Sequence, residues 1–218
     1  KMVDHIDNAI IFFHEPYASS ACEMVAELDQ YLGEKQKIST VEAEAMLSGI
    51  MLDTKNFTLR TGVRTFEAAA YLRRMGADTV EVRKLFASTI DAYRSKAQLV
   101  ASAQEYRGCA IACTEREVPD IRIIASQAAD ELLNISGVDA SFLLFTSGTG
   151  VNISARSMGE VNVQVIMESL GGGGHLTMAA AQLPDITMEE TKLRLREAID
   201  NYFEANPHQG ILPANPGN

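Results

Sequence analysis

The most informative stretch of this sequence is Gly171-Gly172-Gly173-Gly174-His175. Glycine loses more conformational entropy on folding than any other residue, so four in succession are costly to order. A purely structural role therefore explains them poorly. Glycine lets the backbone approach a ligand closely and turns several N–H groups towards one anion. The residues after His175 are compatible with a helix, whose N-terminus also favours a phosphate. The stretch predicts an anion-binding loop with His175 as a hydrogen-bond donor; a flexible surface loop is the alternative, because a glycine run alone is a weak signal.

Strand and helix patterns alternate on both sides of this loop. The last predicted helix begins with the capping pattern Thr187-Met188-Glu189-Glu190 and ends near Glu204. The other predicted elements of this half are strands at 109–113, 142–145 and 151–155, a hairpin turn at 146–150, and helices at 121–133 and 161–170.

The first hundred residues show mainly helical patterns. Capping boxes at Ser20 and Ser39 open two helices, the first ending near Leu32; Thr65 and Asp78 begin two more. A short strand is predicted at 9–13, and a long polar helix from about Thr89 to Glu105 suits a connector. The sequence therefore predicts an α/β fold of two small α/β domains joined by a helical linker. Their predicted bounds are 1–100 and 106–205, and the proline-containing tail 206–218 is predicted to be disordered.

Composition excludes several classes of function. The 218-residue chain carries a net charge of −10, which argues against binding long nucleic acids. It has no apolar run near the roughly 20 residues that a membrane span needs and no signal peptide, which predicts a cytoplasmic segment without membrane contact. Its three cysteines are too few for a disulfide scaffold, and Cys109 and Cys113 read better as strand residues facing a core than as metal ligands.

Two further residues are candidates for chemistry. Arg156 closes a predicted strand and is suited to clamping a phosphate, although the residues taken alone favour a surface ion pair with Glu160. Asp53 ends a predicted apolar helix and is suited to binding a metal, but a lone carboxylate does not hold a hard divalent ion. Arg60 and Arg64 follow as candidate phosphate contacts or surface charges. The three remaining histidines (His5, His14 and His208) are interpreted as ordinary residues rather than ligands.

Several motifs together resemble one family. Gly171–His175 followed by Ala179-Ala180 is similar to the substrate-binding loop of the DHH-associated domain in DHH-superfamily phosphoesterases. Leu52-Asp53-Thr54-Lys55-Asn56-Phe57 resembles the fourth metal motif of the same superfamily. Further motifs resemble the GdpP-type cyclic-di-AMP phosphodiesterases, and the resemblance runs from about Asp4 to Glu204. These motifs lie at 15–20, 59–66, 76–80, 125–130 and 153–160.

The resemblance implies a reaction and a division of labour. It implies hydrolysis of cyclic di-AMP to pApA with two Mn²⁺ ions, with Asp53 as a metal ligand in the C-terminal part of a DHH domain. Arg156 and the loop of Gly171, Gly172, Gly173, Gly174 and His175 would bind substrate across a cleft. The family's other metal ligands, and its membrane helices, precede the matching segment, so the 218 residues alone are expected to be inactive.

Two other functions stay open at this point. A nanoRNase or RecJ-like exonuclease of the same superfamily would act on short oligonucleotides, which the acidic charge does not exclude. The chain could also serve only as a nucleotide-binding module. A homodimer is possible, since the sequence does not set the oligomeric state.

Overall fold

The computed structural model describes residues 12–31, 38–116, 118–148 and 150–207, and these form a mixed α/β protein. The chain divides into two compact units, Lys1–Ala87 and Ser88–Asn218. The elements of the first unit are α1 (Ala21–Asp29), α2 (Thr40–Asp53), α3 (Val63–Arg74) and α4 (Thr79–Leu85). Those of the second are α5 (Ile90–Ala101), β1 (Gln104–Tyr106), β2 (Cys109–Thr114), α6 (Ile121–Leu132), β3 (Ala140–Ser147), β4 (Gly150–Ser157), α7 (Val163–Ser169), β5 (Gly173–His175), β6 (Met178–Pro184) and α8 (Met188–Ala205). None of the helices within these ranges is long and apolar enough to cross a membrane.

Local capping chemistry sets the helix starts of the first unit. The Ser39 hydroxyl accepts from the Glu42 amide, and the Glu42 carboxylate accepts from the Ser39 amide at 2.7 Å, which completes the predicted capping box. The Ser20 hydroxyl likewise accepts from the amide of Glu23 at 3.0 Å and caps α1. The Asp78 side chain caps α4 through the Val80 amide.

The elements of the first unit differ from the predicted ones in their bounds. Helix α3 begins three residues before the predicted start, because Thr65 does not cap it; its hydroxyl accepts from the Gly62 amide at 3.1 Å, and Gly62 is the N-cap. The first helix, predicted to run to about Leu32, ends at Asp29, and Gln30 and Tyr31 form a turn after it. Of the predicted strand at 9–13, residues 9–11 lie outside the described residues. The two described residues of that strand, Phe12 and Phe13, are not in a strand.

The described part of the first unit contains helices and turns, and the helices pack around one core. Its buried core is formed by small and branched side chains of α1 to α4 and the turns between them. The core residues are Ala26, Ala43, Leu47, Ile50, Ala68, Leu72, Ala77 and Val82.

The second unit is built on one sheet of six strands in the order β1-β2-β3-β4-β6-β5. Strands β2 and β3 are parallel and α6 connects them, as a parallel pair requires. The other neighbouring strands are antiparallel, including the β3–β4 hairpin whose turn the sequence predicts. Strand β6 lies between β4 and the edge strand β5.

Helices cover the two faces of this sheet unequally. On one face α7 and α8 pack against the sheet through residues such as Ile166, Leu195 and Ile199, which meet Phe142 and Ile153. On the other face α5 and α6 pack against β2 and β3, and this second core contains Leu99, Ile124, Ala128, Leu132, Leu143 and Phe145. The α/β fold class is therefore confirmed.

The long polar helix is shorter than predicted and belongs to the second unit. Helix α5 ends at Ala101, and residues 104–106 form strand β1 instead of its last turn. The division between units falls at Ala87 and Ser88, whereas the sequence prediction kept residues up to 100 in the first domain. Leu99 of α5 accounts for this difference, because its buried side chain packs in the core between α6 and the sheet, which belongs to the second unit. Of the predicted tail, 208–218 lies outside the described residues.

Candidate functional site

The glycine segment does not lead into a helix. Its last three residues, Gly173–His175, form strand β5. Two turn residues connect β5 to the antiparallel strand β6. The predicted helix N-terminus at this place is therefore wrong. The alanine-rich stretch 178–184 suits a helix by propensity, but its side chains alternate between exposed and buried, and the sheet overrides the propensity.

The fold requires three of the four glycines for distinct reasons. Gly171 has φ +79° and follows α7, where the Gly171 amide donates to Glu168 O and the Gly172 amide donates to Met167 O, the two bonds of a Schellman motif. A Cβ on Gly172 would lie 2.2 Å from the carbonyl oxygen of Ala180. Gly174 has φ +155°, and a Cβ there would lie 2.4 Å from the Ala179 Cα.

Gly173 is the exception. A Cβ built on it meets no described atom within 4 Å, and its φ lies outside the positive range. Neither backbone strain nor packing explains a glycine at this position. A close approach by something outside the chain would explain it.

The strand register brings the predicted substrate residues into one row. Arg156 on β4 lies opposite Met178 on β6, and His175 on β5 lies opposite the same Met178. Residues directly opposite one another in an antiparallel pair point to the same face, so Arg156, Met178 and His175 share a face of the sheet. The two outer members are two strand spacings apart, about 10 Å.

A second row runs parallel to the first and holds only small side chains. It consists of Ser154, Ala180 and Gly173, which also lie opposite one another. Helix α6 packs over β3 and β4 on this face, so Ser154 and Arg156 are buried, whereas Met178 and Ala180 on β6 are exposed. The result is an open floor on β6 and β5 beside a wall formed by α6. We call this surface, with Met178, Ala180, Gln182, Gly173 and His175 on its floor, the β6 ledge.

Arg156 lies on β4 where helix α6 packs against the sheet. Its guanidinium donates to Ser126 Oγ, to the Ala155 carbonyl at 2.9 Å and to Ser154 Oγ at 3.4 Å. Its Nε lies 3.3 Å from the Asp130 carboxylate, with which it makes an ion pair. The alternative ion pair with Glu160 is not among its contacts.

Burial and charge act on Arg156 in opposite directions. Burial lowers the pKa of the guanidinium from its ordinary value, and the Asp130 carboxylate partly opposes that shift. An arginine remains charged in either case. Arg156 therefore presents a held positive charge with fixed orientation beside the β6 ledge.

Asp53 lies in the first unit, as the last residue of α2, and is exposed. The backbone after it is unusual, because Lys55, Asn56 and Phe57 have φ values of 49°, 56° and 63°. Three successive left-handed residues other than glycine are uncommon and cost energy unless the surroundings hold them.

Thr54 holds this left-handed turn. The side chain is fully buried; its hydroxyl donates to the Ile50 carbonyl at 2.7 Å and accepts from the Phe57 amide at 2.9 Å. The Thr54 carbonyl accepts from the amides of Thr58 and Leu59, both at 2.8 Å. Thr54 is a functional candidate that the sequence pattern does not reveal by itself; its place beside the candidate ligand Asp53 is the only signal for it.

The remaining candidates have other partners or lie elsewhere. Arg64 forms ion pairs with Glu15 at 3.2 Å and with Glu27 at 2.6 Å, so it acts as a structural charge. Arg60 is exposed and has φ 47°. The His14 ring stacks on Phe12, and His5 and His208 lie outside the described residues.

The described residues contain neither a cluster of metal ligands nor an exposed cysteine on the sheet. No group of three or more His, Cys, Asp or Glu side chains there is arranged to hold a metal ion. Cys109 is fully buried on β2 and Cys113 packs against the same core, as the strand interpretation predicts. Asp53 fits as one hard oxygen ligand for a divalent ion, but it does not make a site by itself.

Comparison with known proteins places the sheet unit in a family. The model of the DHHA1 domain matches residues 121–205, which run from α6 to the end of α8. The cyclic-di-AMP phosphodiesterase GdpP of Geobacillus thermodenitrificans is 54% identical over 92% of this chain and 31% of its own length. The cyclic-di-AMP phosphodiesterase PdeA of Listeria monocytogenes is 45% identical over 93% of this chain and 32% of its own length.

A solved structure agrees with this fold. An exopolyphosphatase-related protein from Bacteroides fragilis superposes with a TM-score of 0.81 at 24% identity, covering 93% of this chain and 62% of the other. At that identity the likeness concerns the fold alone. The chain spans about a third of the length of the curated relatives named above.

Proposed function

This chain belongs to the GdpP-type proteins of the DHH superfamily, with its DHHA1 domain at residues 121–205, and on that premise we propose that the protein hydrolyses cyclic di-AMP to pApA. The reaction is the hydrolysis of one of the two phosphodiester bonds that close the ring. Water adds to phosphorus, and the ribose oxygen leaves with a proton.

The observation that carries this proposal is the row of Arg156, Met178 and His175 beside the unexplained glycine Gly173. A cyclic dinucleotide has two negative phosphates and two flat bases. Arg156 supplies a charge for a phosphate, since an arginine binds phosphate oxygens through several parallel N–H groups. His175 is exposed at the other end of the row and can donate a hydrogen bond to a phosphate oxygen or a base edge.

The wall of α6 gives Arg156 its orientation. Ser126 and Asp130 hold the guanidinium from the helix, and the carbonyl of Ala155 holds it from the strand. An arginine fixed in this way loses little side-chain entropy when a phosphate binds, which favours affinity. Sequence analysis could not pair these residues, because Ser126 and Asp130 precede Arg156 by 30 and 26 positions.

Metal chemistry enters the proposal through one residue. Asp53 would provide one carboxylate ligand to a pair of Mn²⁺ ions, and such ions supply an activated water and a counter-charge for the phosphate. Thr54 would keep that carboxylate in place by holding the left-handed turn behind it. One carboxylate does not organise two ions, and the described residues hold no group of three or more candidate ligands, so the other ligands of such a site would come from outside them.

The test compares three substrates with the complete protein. Cyclic di-AMP, a linear dinucleotide and a longer single-stranded oligonucleotide are incubated with Mn²⁺, and products are separated by chromatography. Faster conversion of cyclic di-AMP to pApA than of either linear substrate supports the proposal. Preferred cleavage of the linear dinucleotide would replace it with the nanoRNase alternative, and preferred degradation of the longer strand with a RecJ-like exonuclease. Binding without hydrolysis of any substrate would leave a nucleotide-binding module.

A further inference from the structure

The β6 ledge carries an exposed apolar side chain where the row is otherwise polar. Met178 is 46% exposed and lies directly between Arg156 and His175. Single exposed apolar side chains are ordinary on a protein surface, so it is the position of Met178 in the row, and not its exposure alone, that indicates a ligand contact. Its two neighbours in the row, a charged group and a hydrogen-bond donor, are both suited to a polar ligand.

We propose that Met178 is the base-contacting residue of this domain: its thioether packs against the flat face of a purine whose phosphate is held by Arg156. This inference rests on the proposed function and names the residue that recognises the base. A nucleotide joins an apolar ring face to an anionic phosphate, and the row offers the matching pair of surfaces on neighbouring strands. A thioether is polarisable and makes favourable contacts with aromatic rings.

The second row of the ledge makes room for a flat ring. Next to Met178 along β6 and β5 stand Ala180 and Gly173, and a Cβ on Gly173 would point into open space. A ring that rests on the Met178 thioether can therefore extend over Ala180 without meeting a long side chain. This gives Gly173 a reason that the internal packing of the domain does not supply.

The opposite layer provides a matched control. Val165 on α7 is 47% exposed, nearly the same as Met178, but α7 packs on the other face of the sheet. Replacing Val165 by threonine removes a similar kind of exposed apolar surface in the layer on the opposite side of the sheet from the row. A general effect of surface hydrophobicity would appear in both variants, and a base contact only in Met178→Thr.

The experiment measures base-dependent affinity in the complete protein by calorimetry. The two ligands are pApA and the same dinucleotide lacking both adenines, so that they differ only in the bases. We expect Met178→Thr to weaken pApA binding about two- to tenfold, the size of a sulfur–aromatic contact. Binding of the abasic ligand should stay within about twofold. Met178→Leu, which conserves volume but lacks the sulfur, should weaken pApA binding less than Met178→Thr without matching the parent. Val165→Thr should bind both ligands like the parent.

Several outcomes would overturn the inference. Equal losses for both ligands would show that Met178 acts on the fold or on the phosphate, and an unchanged pApA affinity would show that it contacts nothing. A parent protein that binds the two ligands equally would refute a base contact even if Met178→Thr failed to fold. Turnover of cyclic di-AMP is measured separately: a parent that hydrolyses it while Met178→Thr shows no base-dependent loss contradicts this inference alone. A base-dependent loss without any turnover contradicts the proposed function alone.

Discussion

Gly173 offers a sharp test of the glycine loop, because the fold leaves its Cβ position empty. A Cβ on Gly173 meets no atom of the described residues within 4 Å, and the backbone there is not left-handed. Replacing it by alanine should therefore stabilise the second unit by about 0.4–1 kcal/mol, since the unfolded chain loses freedom. Gly172→Ala is the matched control: its Cβ would lie 2.2 Å from the Ala180 carbonyl oxygen and 2.7 Å from the Ala181 Cα, so backbone must move. We expect that variant to lose about 1–3 kcal/mol of unfolding free energy.

Substitution of Gly173 should weaken nucleotide binding even though it does not destabilise the fold. If a ligand approaches the backbone of β5 here, a branched side chain at this position stands in its path. Gly173→Val would then displace the part of the ligand that lies against this backbone, and a loss the size of one hydrogen bond to a charged ligand is about 1.5–3 kcal/mol. That corresponds to a dissociation constant for cyclic di-AMP or pApA that is roughly ten- to hundredfold larger. Gly173→Ala should give a smaller loss, in proportion to its smaller side chain.

The assay pairs calorimetric titration with chemical denaturation for each variant of the complete protein. A stable Gly173→Val protein that binds nucleotide tenfold or more weakly would separate ligand approach from folding. If Gly173→Val is stable and binds like the parent, the segment is only a connection between α7 and β5. The assignment of the β6 ledge to substrate would then lose its main support.

Four further predictions concern single residues. His175→Ala should leave the fold intact, because the side chain is exposed, and weaken nucleotide binding by a hydrogen bond of about 0.5–3 kcal/mol in the same titration. Asp53→Ala should reduce kcat by several orders of magnitude with an unchanged circular dichroism spectrum, since it removes a proposed metal ligand; activity within about tenfold of the parent would contradict the role. Thr54→Val should cost about 1–3 kcal/mol in denaturant unfolding, because it removes the hydroxyl that makes one buried and one part-buried hydrogen bond, whereas Thr54→Ser should recover most of it. Burial, together with the nearby charge of Asp139, raises the pKa of Cys109 to about 12, so mass spectrometry should find this thiol unmodified by iodoacetamide in mildly alkaline buffer until the protein is unfolded.

Local chemistry predicted most helix starts correctly, because a cap depends on residues within one turn. Ser20, Ser39, Asp78 and Thr187 each accept a hydrogen bond from the first turn of the helix that the sequence assigned to them. Thr65 shows the limit of that reasoning. Its hydroxyl does serve a helix N-terminus, but from the third helical position, where it accepts from the Gly62 amide. A sequence pattern indicates that a cap exists more reliably than it indicates which partner begins the helix.

The sheet was harder to predict, because strand order depends on residues far apart in the chain. Strand β6 is rich in alanine and would form a helix in isolation, yet its position between β4 and β5 makes it a strand. The same dependence limited the interpretation of Arg156. Sequence spacing suggested Glu160 as a partner, while the fold supplies Asp130 and Ser126 from α6.

The glycine segment shows how structure and function share one short sequence. Gly171 ends α7, and Gly172 and Gly174 let β5 approach β6 closely, so these three would be selected in a protein that bound nothing. The inference from four glycines to a ligand is therefore weaker than their number suggests. What remains is Gly173, in register with Ala180 and one row away from Arg156, Met178 and His175. A glycine that the fold does not need, beside a held arginine, an exposed methionine and an exposed histidine, is a stronger indication of a binding surface than the run as a whole.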